Sequence, residues 1–378
     1  MDAPIAVTEL GAQPRCLGHL HPVLPDGFWF EAAAPGQSEG FSDDLPWWLH
    51  PLRPSGYLGR LVPARHPSLG LPPDIHVWSA DHVLHYLTTA GWHGVGALVV
   101  GQEALAAAVL AAASPSPGVS LDQRQVHYLE RAHDVLRGGP PGSSAVGEAP
   151  KFLARVGGRD VLVKFSPPLD GGAFARRRAD LLLAEHHALQ SLRDGGHPAA
   201  RTEVVCGERV FLEVERFDRV AGHRRGQASL VSLDGEFVGR LTGWAEVVGR
   251  LVELGLASAA DLRETRFLAQ VGRWIGNTDM HLGNLSFHLD GTRPAGLAPA
   301  YDMLPMAYAP VGGEVVERRF EPTLDETDGR LAREALQVAG QVWRRIAEDR
   351  RVSPAFRSIA RENRAKLEAL RPAVDRLP

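Results

Sequence analysis

Apolar residues in the middle of the chain recur with the two-residue period of a β-strand. Every second residue from Val161 to Phe165 is apolar, which predicts a strand over residues 160–165. A short apolar run at residues 151–154 precedes it, and the Gly157-Gly158 pair lies between the two. Because a glycine pair between two such runs favours a tight turn, the segment predicts a β-hairpin.

Longer segments carry apolar residues at the 3.6-residue spacing of helices. Residues 175–192 offer Leu182 and Leu189 for burial and end near the glycine pair at 195–196, as helices often do. Further helices are predicted at residues 103–113, 120–136, 236–256, 259–275, 328–349 and 354–370. Further strands are predicted at residues 209–215, 285–289 and 296–300. The pattern predicts an α+β fold in which a lobe with antiparallel strands precedes a helical lobe.

A run rich in proline and glycine, residues 137–144, interrupts the chain where no regular element could cross easily. It divides the sequence into an N-terminal subdomain, residues 1–137, and the two lobes that follow. We place the mixed lobe at residues 138–215 and the helical lobe at residues 216–378.

Composition limits the class of protein. The chain has 378 residues, 44% of them hydrophobic and 23% charged, which excludes a disordered or fibrous chain. The formal net charge of -4 excludes a global positive field for nucleic acid. Only Cys16 and Cys206 are cysteines, and neither a signal peptide nor a membrane-spanning segment is evident. We therefore expect a cytoplasmic protein with no membrane contact.

The richest chemical segment is residues 276–288, which is followed by Tyr301-Asp302. Transfer of a phosphoryl group needs a carboxylate near the acceptor hydroxyl and oxygen ligands for magnesium. Asp279, Asn284 and Asp302 supply these groups, and the five-residue step from Asp279 to Asn284 is that of the protein-kinase catalytic loop. The alternative is that Asp279 and Asn284 only cap turns.

Lysine is rare in this chain, with three lysines against 38 arginines. Lys151 and Lys164 both fall in the predicted hairpin, which indicates a local need for a compact ammonium group. Lys164 has the strand position of a lysine that binds nucleotide phosphates, and Glu185 on the next helix is its predicted partner. The alternative for Lys164 is a solvated strand position.

Together these segments resemble the HipA-like serine/threonine kinase family, whose toxin members are held in check by a DNA-binding antitoxin. The resemblance spans roughly residues 140–310. The segments that carry it are SAVGEAPK (144–151), VKF (163–165), VERFDR (214–219), WIGNTDMHLGNLSF (274–287) and AYD (300–302).

The resemblance implies a two-lobed protein-kinase-like fold that uses ATP and Mg²⁺. Residues 138–215 would be the N-lobe core with its nucleotide loop, and residues 216–378 the C-lobe with the catalytic loop. Asp279 corresponds to the catalytic aspartate, and His281 orients the catalytic loop. Asn284 and Asp302 correspond to the magnesium ligands.

The same resemblance assigns the nucleotide-binding residues. Glu215 and Phe217 resemble the hinge whose backbone meets adenine. Ser144, with Ser143 beside it, falls where family members phosphorylate themselves. The cofactor-binding set is Lys164, Glu185, Glu215, Phe217, Asp218, Gly147 and Lys151.

Three positions depart from the family pattern. Gly283 stands where many members have a lysine that could neutralise the moving phosphoryl group. Ala149 replaces a usual glutamine, and Val146 replaces a common glycine in the nucleotide loop. These differences predict weaker catalysis and a stiffer loop.

The leading hypothesis is a toxin kinase that phosphorylates a protein hydroxyl, with an aminoacyl-tRNA synthetase or another translation factor as the substrate class that the resemblance implies. An antitoxin would be its partner. No helix-turn-helix is evident before the aromatic-rich start, so we expect no direct DNA binding.

Three alternatives remain open from the sequence. The first is a nucleotide-binding regulator with weakened catalysis, which the glycine at position 283 supports. The second is a small-molecule kinase of the aminoglycoside type, which shares the spacing from Asp279 to Asn284. The third is a metal hydrolase built on Asp279, His281 and His288, although their spacing matches no common zinc motif.

Overall fold

The N-terminal part of the chain folds as an antiparallel sheet with helices around it. The structure is a computed structural model that describes residues 3–24, 27–35, 39–114, 118–138, 149–220, 222–324 and 328–378. The strands are β1 (Ile5–Leu10), β2 (Pro14–Pro22), β3 (Phe28–Ala32), β4 (Gly40–Ser42) and β5 (Leu98–Val100), in the order β4-β3-β2-β1-β5. The α-helices are α1 (Gly56–Arg60), α2 (Val62–Arg65), α3 (Ala80–Thr89) and α4 (Gln102–Ala113).

The second part of the chain builds an antiparallel sheet against two helices. Its elements are α5 (Arg124–Gly138), β6 (Lys151–Val156), β7 (Arg159–Phe165), α6 (Gly172–Asp194), β8 (Thr202–Cys206) and β9 (Val210–Glu215). The strand order is β6-β7-β9-β8. Gly157 and Gly158, with φ of 52° and 82°, make the turn between β6 and β7, where left-handed backbone suits glycine. The predicted hairpin is confirmed.

The alternation in β7 gives the sheet two different faces. Val161, Val163 and Phe165 are buried on one face, where they pack with Tyr128 of α5. Because successive side chains of a strand point to opposite faces, Lys164 lies on the other face, toward α6. The charged side chain of Lys164 therefore lies in the interior between the sheet and α6.

The C-terminal part is mostly helical. Its strands are β10 (Arg219–Val220), β11 (His223–Arg224), β12 (Gly226–Ser229), β13 (Ser286–Asp290) and β14 (Arg293–Leu297), with β10 paired to β11 and a sheet in the order β12-β13-β14. Its helices are α7 (Leu230–Phe237), α8 (Trp244–Glu253), α9 (Ala259–Trp274), α10 (Gly329–Glu348) and α11 (Pro354–Val374). Within the described residues, no helix is both long enough and apolar enough to cross a membrane.

The prediction of one helix over residues 236–256 is wrong, because the chain breaks between α7 and α8. Gly239 and Leu241 have φ of 69° and 49°, which a right-handed helix cannot accommodate. The carboxylate of Asp234 accepts hydrogen bonds from the backbone N–H groups of Arg240 and Leu241 and holds this break. The last strand also begins earlier than predicted, at Arg293.

The core of the helical part contains two tryptophans that hydrogen-bond to the backbone. Trp343 Nε1 donates to the carbonyl of Trp274 at 3.0 Å, and Trp274 Nε1 donates to the carbonyl of Thr323 at 2.9 Å. Both rings are fully buried, so each indole N–H needs such a partner. These contacts fix α9 against α10.

A charged cluster at the end of α10 ties that helix to α6. His187 on α6 lies 2.8 Å from Asp349, whose carboxylate also accepts hydrogen bonds from the Arg351 backbone and guanidinium. Burial acts to raise the pKa of Asp349, but the hydrogen bonds from Arg351 and His187 outweigh it and lower the pKa to about 2. The folded protein therefore favours the ionised form of Asp349.

We expect Asp349→Asn to remove a pH-dependent part of stability. A carboxylate with a depressed pKa stabilises the fold above its unfolded pKa of about 3.8 and loses that contribution as the pH falls toward 2. The shift corresponds to about 2 kcal/mol at neutral pH, of which roughly half is lost by pH 3. The urea midpoints of the wild type and of Asp349→Asn should therefore approach each other as the pH falls from 7 to 3.

The exposed neighbour Glu348 supplies the control, since Glu348→Gln should leave the pH profile of the wild type unchanged. A constant difference between wild type and Asp349→Asn from pH 7 to pH 3 would contradict this account of Asp349.

Candidate active site

A buried lysine joins two carboxylates that are far apart in sequence. Lys164 Nζ on β7 lies 2.8 and 2.9 Å from the two carboxylate oxygens of Glu185 on α6. The same nitrogen lies 2.6 Å from Oδ1 of Asp302, which follows β14. Lys164 is 6% exposed and Glu185 is 1% exposed. The fold thus brings together three residues that the sequence predicted as one site.

The charges of this trio support one another. Burial alone would lower the pKa of Lys164, but Asp302 and Glu185 outweigh it and raise the pKa above its usual value. Burial acts to raise the pKa of Asp302, and the Lys164 ammonium outweighs it and holds that pKa low. Burial raises the pKa of Glu185 more than Lys164 lowers it. At neutral pH the lysine is an ammonium and Asp302 is ionised.

Asp302 is held in an unusual backbone conformation. Its φ is 55°, and in the described part of the chain only Leu241 is another non-glycine residue with positive φ. Such a conformation costs about 1–2 kcal/mol, and strained residues of this kind cluster at functional sites. The hydroxyl of the preceding Tyr301 donates to the carbonyl of Gly283 at 2.7 Å and lies 2.7 Å from Ser286 Oγ. These contacts fix Asp302 beside the 276–284 loop.

The loop with the Asp279 and Asn284 motif is tied down by its own side chains. The Asp279 backbone N–H donates to Asn277 Oδ1 at 3.1 Å, and Asn284 Nδ2 donates to the Asp279 carbonyl at 2.8 Å. Trp244 Nε1 donates to the carbonyl of His281 at 2.9 Å. These hydrogen bonds fix the backbone of the loop, and the side chain of Asp279 is 52% exposed.

His281 occupies the space next to the glycine at position 283. Its Nδ1 accepts a hydrogen bond from the Gly283 N–H at 3.0 Å, and its Nε2 lies 3.9 Å from the Asp279 carboxylate. A Cβ atom on Gly283 would come within 2.8 Å of the imidazole ring. A lysine at this position would therefore require the ring of His281 to move.

One cavity of about 1160 Å³ is lined by six of the ten described residues that the sequence assigned to the site. The charged residues and histidine that line it are Lys151, Lys164, Arg178, Glu185, Arg209, Asp279, His281 and Asp302. Asn284 does not line the cavity but is buried and hydrogen-bonded to the backbone of Asp279, which does. The cavity therefore unites the hairpin lysines with the catalytic-loop aspartate.

The predicted hinge residues lie outside the lining of this cavity. Glu215 ends β9, where its N–H donates to the carbonyl of Arg201 at 2.8 Å. The ring of Phe217 packs against Tyr301, with centroids 5.7 Å apart, and against His288 at 6.0 Å. Phe217 thus contacts the residue next to Asp302, while the contact of Glu215 and Phe217 with adenine stays a prediction.

Asp218 holds the N-terminal part of the chain to the segment after β9. Its carboxylate accepts hydrogen bonds from the guanidinium groups of Arg216 and Arg219 and from the Gly96 N–H at 2.8 Å. Arg219 in turn donates to the carbonyl of Gly94. This buried cluster gives Asp218 a structural role and does not bring its carboxylate to the cavity.

Several predicted residues lie outside the described part of the chain. These are Ser143, Ser144, Val146 and Gly147. Ala149, which is described, lines the cavity beside Lys151.

Sequence reasoning missed the two arginines of the cavity and the two residues that brace its loops, Asn277 and Tyr301. Arg178 and Arg209 carry no signal in a chain with 38 arginines, because their importance depends on burial. Asn277 and Tyr301 could have been found, because each lies within two residues of a predicted catalytic residue.

The metal-hydrolase alternative gains no support. His288 is buried in β13 with its ring against Phe217. Within the ranges that the structure describes, no three His, Cys, Asp or Glu side chains converge as a metal site.

The chain is similar in sequence to two protein families and to a bacterial toxin. Residues 143–370 match the family model of the HipA-like C-terminal domain, and residues 1–109 match that of the middle domain of YjjJ-like toxins. Toxin YjjJ of Escherichia coli (strain K12) is 39% identical over 365 residues, which cover 93% of this chain and 81% of that protein.

Two solved structures match this chain. One is HipA of the Shewanella oneidensis MR-1 toxin–antitoxin system, solved with HipB and its operator DNA. It has a TM-score of 0.60 and 16% identity, and the match covers 99% of this chain and 100% of that one. The other is the Helicobacter pylori proinflammatory kinase CtkA, with a TM-score of 0.44 and 13% identity, and the match covers 60% of this chain and 91% of that one.

The expected α+β, kinase-like fold is confirmed. With the C-terminal family model matched over most of the chain and a toxin aligned along nearly all of it, this protein belongs to the HipA-like toxin kinase family.

Proposed function

We propose that the protein is an ATP- and Mg²⁺-dependent kinase that phosphorylates a serine or threonine hydroxyl of a protein. The observation that carries this proposal is the convergence of Lys164, Glu185 and Asp302 in one cavity with Asp279. A buried ammonium held by a glutamate on the neighbouring helix is the arrangement that kinases use for nucleotide phosphates.

The chemistry of the donor set fits magnesium. Lys164 engages one carboxylate oxygen of Asp302, which leaves the second oxygen for a ligand. The side-chain nitrogen of Asn284 donates to the backbone, which leaves its oxygen for the same purpose. Mg²⁺ prefers oxygen ligands and often binds through one or two protein groups together with substrate phosphates. When bound, it would supply positive charge that neutralises the phosphate oxygens.

In this proposal Asp279 acts on the acceptor hydroxyl. As the hydroxyl oxygen bonds to the γ-phosphorus of ATP, the bond from that phosphorus to the β–γ bridging oxygen breaks, and ADP leaves. The proton of the hydroxyl passes to the exposed Asp279 carboxylate. Lys164 orients the phosphates, and His281 holds the backbone turn that presents Asp279.

We further propose an antitoxin protein as a partner in the cytoplasm. The support is the similarity to a HipA that was solved with HipB, and to Toxin YjjJ. A translation factor such as an aminoacyl-tRNA synthetase is the proposed class of substrate.

A nucleotide-binding regulator with weakened catalysis is the second candidate. It is favoured by the glycine at position 283, where the His281 ring fills the space that a lysine would need.

Phosphopeptide mapping tests the proposal. After incubation with ATP and Mg²⁺, the wild type should gain phosphate on Ser143 or Ser144, and the Asp279→Asn variant should gain none. Calorimetry with ATP completes the test. ATP binding without any transfer would favour the regulator, and absence of ATP binding would overturn both candidates.

A further inference from the structure

Arg209 is a buried cation with an incomplete set of partners. It is 6% exposed, and its Nη1 donates to the carbonyl of Ser166 at 2.9 Å. Its Nε is buried without a hydrogen-bond partner. The exposed carboxylates of Glu208 and Asp170 act to raise the pKa of Arg209, but burial outweighs them and lowers it. A buried guanidinium nitrogen without a partner is costly and rare in folded proteins.

Arg209 lines the same cavity as the candidate catalytic residues, and Arg178 joins it there. Arg178 is half-buried on α6, with its guanidinium 5.6 Å from the ring of Phe174. It lies seven residues before Glu185, so both project from one face of α6, about 10 Å apart along its axis. The described carboxylates in the lining are Glu185, Asp279 and Asp302, and two of these already contact Lys164. Among the described lining residues, four cationic side chains, Lys151, Lys164, Arg178 and Arg209, therefore stand against three carboxylates.

The strand register sets the order of these groups. Lys164 pairs with Leu212 of β9, and Arg209 precedes Leu212 by three residues, about 10 Å along an extended chain. Glu215 lies on the opposite side of Leu212, at the other end of β9. If adenine lies at Glu215 and the phosphates lie at Lys164, as the proposed function requires, Arg209 lies beyond the phosphates on the acceptor side.

We propose that Arg209 and Arg178 form an anion-binding subsite that recognises an acidic side chain of the protein substrate, about three residues from the hydroxyl that is phosphorylated. This inference rests on the proposed function and names its substrate class. Guanidinium groups bind carboxylate and phosphate through paired hydrogen bonds, so a glutamate or a phosphoserine would complete the partners of Arg209.

The surroundings strengthen such a contact. Arg209 is buried and Arg178 is half-buried, and this burial lowers the pKa of both guanidinium groups. Charge-assisted hydrogen bonds in such a site are worth more than those on an open surface.

Matched peptides test the proposal. Serine peptides with glutamate, phosphoserine or glutamine at each position from −5 to +5 are assayed as acceptors with ATP and Mg²⁺. For the wild type, one position should raise kcat/KM of the acidic peptide by about 10–100-fold over the glutamine peptide. Arg209→Gln should abolish this preference, and Arg209→Lys, which keeps a positive charge, should retain part of it.

Two further variants separate recognition from folding. Arg178→Ala removes a half-buried side chain and should reduce the same preference even if Arg209→Gln is unstable. Arg176→Ala changes an exposed arginine on the same helix and should have no effect. Thermal midpoints of all variants are measured alongside.

Binding of fluorescein-labelled peptides, followed by anisotropy, needs no catalysis and keeps the two proposals apart. Tighter binding of the glutamate or phosphoserine peptide by wild type but not by Arg209→Gln supports the subsite, and the comparison of these two peptides identifies its preferred anion. Equal binding and equal turnover of acidic and glutamine peptides would overturn the subsite while the kinase proposal stands. Selective binding without transfer to any peptide would support the subsite and count against the kinase.

Discussion

Replacing Asp302 by asparagine is expected to lower phosphoryl transfer by about 10³-fold, with the fold intact. Asp302 supplies the carboxylate that contacts Lys164 at 2.6 Å and that we propose as a magnesium ligand. Removing one preorganised charged group from a site of this kind costs about 10²–10³ in rate. Asparagine is the appropriate replacement because, like aspartate, it tolerates the left-handed φ of 55° at this position.

Transfer is measured by radiolabel from ATP on the intact protein and on acceptor peptides, and stability is measured by urea unfolding. Asp134→Asn on α5 is the matched control, because Asp134 is an exposed carboxylate far in sequence from the site. Activity of Asp302→Asn within tenfold of the wild type would exclude Asp302 as a ligand in the reaction.

Lys164→Met should affect both stability and transfer. The variant leaves Glu185 buried without a cation, and breaking a buried ion pair in this way costs about 3–5 kcal/mol. Burial already raises the pKa of Glu185, and without Lys164 this pKa rises further. A carboxyl group with a raised pKa destabilises the fold above its unfolded pKa of about 4.5. The stability deficit should therefore grow as the pH rises from about 5 to 8.

The double variant Lys164→Met/Glu185→Leu separates the two roles of the pair. Replacing Lys164 and Glu185 by apolar side chains removes the fully buried unpaired carboxylate and leaves only Asp302, whose side chain is 34% exposed, without its cation. Stability should therefore recover to within about 1–2 kcal/mol of the wild type. Transfer should stay about 10²–10³-fold low, because the phosphates have lost their cation. Lys366→Met is the control, because Lys366 is a half-buried lysine with its own partners, the Phe320 carbonyl and Glu321, and does not line the cavity. If the double variant transferred phosphate at the wild-type rate, Lys164 would be only a structural residue.

Secondary structure could be predicted from the sequence where one local conformational preference determined it. The glycine pair at 157–158 predicted its hairpin, because left-handed backbone at both positions suits only a few residue types. The prediction of one long helix over residues 236–256 was wrong because side-chain hydrogen bonds to the backbone break the chain there. The Asp234 carboxylate captures the N–H groups of Arg240 and Leu241 and stabilises a break that apolar periodicity does not reveal.

The candidate site was predictable to the extent that its chemistry is local. Asp279 and Asn284 lie in one loop, so their spacing is visible in the sequence, and the structure adds the hydrogen bond between them. Asp218 shows what a motif cannot predict. It belongs to the VERFDR string (214–219) that marks the family, but its carboxylate is occupied by hydrogen bonds from Arg216, Arg219 and the Gly96 N–H.

The sequence by itself determined the family, the order of the lobes and the residue types that phosphoryl transfer requires, because these depend on short motifs and on local periodicity. Only the tertiary structure decided which charges meet. Lys164 and Asp302 are 138 residues apart and touch because the fold closes β7 and α6 onto the end of β14. Arg209 became distinct from the other arginines only through its burial together with an unpartnered Nε, since the energy of a charge depends on the solvent and partners around it and not on its neighbours in sequence.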